Sequence, residues 1–99
     1  MKDLINELER LREQTARNRR QFLRVDLQTC LLSVEMAQYQ LSVGNSDMAR
    51  REFGVAERGL QVVEGFLREM REPVPELEAQ ISRLREQLDA LRMDLARSR

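Results

Sequence analysis

Apolar residues recur at alternating spacings of three and four along nearly the whole chain, and strong punctuation interrupts them at only two places. That rhythm keeps one stripe of a helix turned towards a partner helix, whereas a strand would need apolar residues at every second position. The expected fold class is therefore all-α. At the first interruption, Val43-Gly44-Asn45-Ser46-Asp47, Gly44 can supply a left-handed stop, Asn45 or Ser46 a cap, and Asp47 a favourable charge in the next first turn. At the second, Glu72-Pro73-Val74-Pro75-Glu76, each proline disfavours helix in the residue before it, and Pro75 suits a first helical position. The spacing predicts helices over about 2–43, 46–71 and 75–97 within one domain, 1–99.

The stripes differ in width. In the third segment Leu77, Ile81, Leu84, Leu88, Leu91 and Leu95 form a narrow coiled-coil seam between polar residues. In the first, Leu4, Leu8, Leu11, Thr15, Asn18, Phe22, Val25, Thr29, Leu32, Met36, Tyr39 and Val43 form one seam throughout, and beyond residue 20 a second stripe joins it: Leu23, Leu27, Leu31, Val34 and Leu41, with Cys30 and Ala37 alongside. Thr15 and Asn18 can set register there or mark a change of neighbour. The second segment is doubled too, with Ala49, Phe53, Ala56, Leu60, Val63, Leu67 and Met70 flanked by Met48, Val55, Val62 and Phe66. A helix apolar on two adjoining faces must touch more than one neighbour. Residues 20–71 thus read as a long antiparallel helical hairpin, with coiled-coil overhangs at 1–19 and 76–98. Gly54, Gly59 and Gly65 lie inside its second helix, where each costs about 1 kcal/mol relative to Ala, a cost that close helix approach can offset; local bending is the other reading. Gly59, beside Ala56, is the best candidate for such an approach.

At about 1.5 Å per residue the first helix spans about 60 Å and the second about 39 Å, so the hairpin runs out near residue 18 or 20 of the first. Two arrangements of the third helix follow. It can continue past the prolines and zip along residues 1–18, closing Leu4, Leu8 and Leu11 against Leu84, Leu88 and Leu91. Or it can fold back as a three-helix bundle and leave residues 1–18 for another chain. The similar length of the two narrow seams favours the first. The surplus apolar face then calls for a second copy and an elongated dimer with a four-helix centre, its interface at Phe22, Leu32, Met36, Phe53, Leu60, Val63, Phe66 and Leu67.

The hairpin loop resembles a single tetratricopeptide-repeat unit over about residues 30–60. Ala37, Gly44-Asn45, Ala49, Phe53 and Ala56 stand at that family's spacing for small helix contacts, turn and second-helix seam. The family's first-helix aromatic is replaced by Ser33, Tyr39 falls one place before the expected tyrosine at Gln40, and Gln61 stands where the closing proline would be. The resemblance implies protein–protein contact through helical surfaces and carries no catalytic chemistry. Solenoids of such units need about three or more.

Composition narrows the chemistry. The 99 residues hold 17 basic and 17 acidic side chains, no His and one Cys, so no global field draws the chain to nucleic acid or to an anionic membrane. The usual metal-ligand and nucleophile–base sets cannot be assembled; no enzyme activity, cofactor or metal is expected. Apolar runs are too short to span a bilayer, and acidic residues stand where a signal peptide would be basic. A lone Cys30, with no histidine, lysine or second cysteine near it, reads as a buried inert thiol in a reducing cytoplasm. Tyr39 reads as a packing residue near the hairpin turn, its hydroxyl at the rim. Arg10, Arg12, Arg17, Arg19, Arg20 and Arg24 face only Glu13 within their stretch. Arg suits phosphate, so Arg17, Arg19 and Arg20 are candidate anion or nucleic-acid contacts. The six acids against three Arg over 57–78 favour charge pairing within the hairpin instead. The expected function is a non-enzymatic scaffold or interaction module that self-associates through helical seams. A helical chaperone or adaptor that holds a partner helix on the apolar face is the alternative reading, and nucleic-acid binding the more remote one.

Overall fold

A computed structural model describes residues 2–70 and 74–98 as three helices: α1 Lys2–Ser42, α2 Ser46–Glu69 and α3 Pro75–Arg97. All three expected helices are present. The predicted helix end at residue 71 and the Glu72-Pro73 part of the predicted break lie outside the described residues. The particle measures 66 × 18 × 16 Å, with a radius of gyration of 17.8 Å. A compact chain of this length would have a radius near 13 Å. The excess comes from α1, whose first half extends beyond the end of α2.

The turn between α1 and α2 is built from its own backbone. Gly44 takes φ +83°, its N–H donates to the Leu41 carbonyl at 3.1 Å, and the Asn45 N–H donates to the Gln40 carbonyl at 2.8 Å. This pair of bonds satisfies carbonyls that the end of α1 would otherwise leave open, and only glycine adopts that φ without strain. Of the two candidate caps, Asn45 serves: its side chain accepts from the Met48 N–H. Ser46 instead shares a 2.7 Å hydrogen bond with Ser98 at the far end of α3.

That contact, with its partners, corrects the expected path of α3. Arg24 of α1 holds Glu76 at the start of α3, Glu64 and Glu57 of α2 hold Arg85 and Arg92, and the Arg50 guanidinium donates to the Ser98 carbonyl. The helix therefore runs antiparallel to α2 and parallel to α1, along the hairpin. It is not an overhang, and Leu84, Leu88 and Leu91 do not meet Leu4, Leu8 and Leu11. All six seam residues of α3, Leu77, Ile81, Leu84, Leu88, Leu91 and Leu95, are buried in one cluster with Leu23, Leu27, Cys30, Val34 and Ala37 of α1 and Ala49, Ala56, Leu60 and Val63 of α2. α2 ends with Met70 in an extended conformation, and Val74, immediately before α3, is buried in the same cluster. Folding back gives the surplus face of the hairpin an apolar lid from its own chain.

At Gly59 the two helices of the hairpin come close together. A Cβ there would collide with the Cys30 sulfur, which matches the close approach expected beside Ala56. Gly65 has open space around it and no such reason. Cys30 is buried as expected; loss of hydration raises its pKa above the ordinary 9.0, and the carboxylate of Asp26 adds to the rise.

Candidate interaction face

The two stripes of α1 have opposite fates. The stripe carrying small residues, Leu23, Leu27, Cys30, Val34 and Ala37, faces inwards, because Cys30 and Ala37 allow α2 to come close. The longer heptad seam faces outwards along its whole length: Leu4, Leu8 and Leu11 are exposed, and so are Phe22, Val25, Leu32, Met36, Tyr39 and Val43. Tyr39 thus stands on the outward seam rather than in the packing near the turn. On α2 the order is reversed. Its main seam is buried or half-buried, and its flank, Met48, Val55, Val62 and Phe66, is exposed.

These two outward surfaces share a side of the molecule. Phe22 and Asn18 of α1 line a cleft of about 300 Å³ together with Phe66 and Met70 of α2. Immediately beyond it, where α2 ends, a wider cleft of about 560 Å³ is lined by Leu8, Leu11, Thr15, Arg19, Arg20 and Glu69 among others. Among the described residues, every exposed large hydrophobic side chain except Met93 belongs to α1, to Val43 just after it, or to the α2 flank. Isolated exposed apolar residues are ordinary, but a continuous row of them marks a contact surface.

The expected interface residues separate accordingly. Phe22, Leu32, Met36 and Phe66 stand exposed on this face. Leu60 and Val63 are instead buried under α3, and Phe53 and Leu67 pack against the same core, so these four hold the chain to itself. The reading from sequence missed Val25, Tyr39, Val43, Met48, Val55 and Val62 as candidate contacts, although the unbroken three-and-four spacing already grouped the first three with Phe22 and Leu32.

Charge is distributed unevenly around the face. Arg17 and Arg19 are exposed on the overhanging half of α1, and Arg20 is half-buried at its junction with α2. Pairing within the chain occurs at the upper end of the cluster, where Arg24 reaches Glu76 at 3.0 Å. On the opposite flank of the molecule, Arg92 bridges Glu57 at 2.8 Å and Asp89 at 3.0 Å while its guanidinium lies 5.4 Å from the Phe53 ring centre. The hydrogen bond to Glu57 is the main cause that raises the Arg92 pKa further, so that group stays charged. Among the described residues no group of three or more His, Cys, Asp or Glu is placed to hold a metal, and no helix is long and apolar enough to cross a membrane. No family model, curated protein or solved structure matches the chain.

Proposed function

We propose that this chain is a non-enzymatic helical interaction module that self-associates through the outward seam of α1, and that it serves as a scaffold or assembly element. The observation that carries the reading is the exposed heptad row from Leu4 to Val43, the length of the molecule, whose apolar members stand in solvent with Thr15, Asn18 and Thr29 among them. Sustained heptad spacing argues for a helical partner, and this row keeps its three-and-four spacing from one end of α1 to the other. The small contacts at Ala37, Ala49 and Ala56, fully buried at the spacing of a tetratricopeptide unit, support a rigid hairpin that presents its outer surface to another protein.

Absolute mass in solution, by light scattering on a size-exclusion column, tests the reading. A mass of two chains, eluting early for its size, is the expected result. A single-chain mass over the accessible concentration range overturns self-association and leaves the face to a helix of another protein.

A further inference from the structure

We infer that the occupant of the outward face is a second copy running antiparallel, with residues 4–18 of each copy laid along residues 29–43 of the other. The inference rests on the self-association proposed above and adds orientation and register to it.

Length supplies the first argument. The overhanging half of α1 carries its seam from Leu4 to Asn18, and the half that backs the hairpin carries it from Thr29 to Val43, the same number of residues. Both halves are exposed, and each molecule has one of each. A two-fold axis between Phe22 and Val25 sets Leu4 opposite Val43, Leu8 opposite Tyr39 and Leu11 opposite Met36 of the second copy, so the whole seam is covered at once. Such an antiparallel pair has two-fold symmetry and is closed and self-complementary.

Charge supplies the second. A parallel, in-register pair would align Arg10, Arg12, Arg17 and Arg19, with only Glu13 between them, beside the same four residues. The antiparallel register sets that stretch against residues 28–37, which hold Glu35 and no basic side chain. Individual flanking pairs do not decide the matter: parallel helices would offer Glu7 to Arg12, antiparallel helices Arg19 to Asp26, and exposed pairs contribute little either way. The like-charged block as a whole favours reversal, because antiparallel packing separates the two blocks along the axis.

Ile5 supplies the third. It is more than half exposed and lies on the same edge of the seam as Arg19, the edge that further along α1 faces α2, as the cleft shared by Arg19, Leu23 and Phe66 shows. In the antiparallel arrangement the two such edges lie on one side, which brings Ile5 towards the α2 flank of the second copy, near Met48. In a parallel pair it would meet only the opposite, polar edge of the other overhang.

The test is a distance. A spin label at Asn6→Cys, in a Cys30→Ala background, projects away from the seam. In the antiparallel register the two labels lie 35 residues apart along the axis, about 50 Å. In a parallel pair, with axes about 10 Å apart, they fall within about 35 Å. A two-chain mass with the long distance is expected. A two-chain mass with the short distance overturns the orientation and leaves self-association standing; a single-chain mass overturns both. An independent measurement keeps Cys30 in place: Leu4→Cys with Val43→Cys in one chain should oxidise to covalent dimers, and Leu4→Cys alone should not. Efficient cross-linking by Leu4→Cys alone overturns the antiparallel register.

Discussion

The guanidinium of Arg24 donates to the carboxylate of Glu76 at 3.0 Å, and this pair marks the point at which α3 starts its run beside α1. Both side chains are about half exposed, at 46% and 60%, so the pair locates the helix without holding it. Arg24→Ala should lower stability by less than about 1 kcal/mol. Leu84→Ala removes a side chain with no exposed surface and should cost about 2–5 kcal/mol. Urea unfolding of both variants at one fixed protein concentration checks the contrast; an Arg24 effect as large as the Leu84 effect would refute it.

Gly59 and Gly65 occupy the same helix and should respond oppositely to alanine. Alanine improves helix propensity by about 1 kcal/mol at either position. At Gly65 the new methyl enters open space, and the gain should appear as a raised Tm. At Gly59 it meets the Cys30 sulfur, which is buried between the helices and must shift within the packed core to make room. Gly59→Ala should therefore lower the Tm, and adding Cys30→Ala should restore part of the loss. Thermal scans of the two single variants and the double variant suffice, and independent, additive effects at 59 and 30 would show that the contact does not matter.

Most of the secondary structure is legible from residues alone, since Gly44, Asn45 and Pro75 act through backbone chemistry that distant neighbours do not alter. The path of α3 is not legible in the same way. A proline fixes its own φ and restrains the residue before it, but neither effect chooses between a kink and a reversal. The clue lay in Val74, an apolar residue that a kinked, continuing helix would have left in water and that the reversal buries. The choice between the two stripes of α1 followed the same logic. Both are apolar, and the one that turned inwards is the one whose Cys30 and Ala37 let another backbone approach. Expecting Leu60 and Val63 at a dimer interface failed because α3, once folded back, covers them first.

Burial gives Cys30 a pH dependence of definite sign. Its pKa is raised in the folded chain, first by loss of hydration and then by Asp26, so the unfolded chain gives up the thiol proton at lower pH than the folded chain does. The resulting contribution to stability is fully present below the unfolded value, near 9.0, and is lost as pH rises from there through the folded value. Between pH 7 and pH 10 the native chain should therefore lose more stability than Cys30→Ala does. Equal losses would show that the thiol ionises alike in both states.

Leu32 and Leu60 separate association from folding. Leu32 is 60% exposed on the outward seam, whereas Leu60 is 6% exposed beneath α3. A charge at Leu32 costs the single chain little, because the side chain already stands in water. In the proposed dimer the same charge would be buried opposite Thr15 of the second copy, where desolvation is expensive. Leu32→Glu should thus halve the mass measured by light scattering and keep the far-ultraviolet helical signal near the native level at high protein concentration. Leu60→Asp places a charge in the core of one chain and should abolish cooperative unfolding altogether. If Leu32→Glu keeps a two-chain mass, the outward seam of α1 is not where the copies meet.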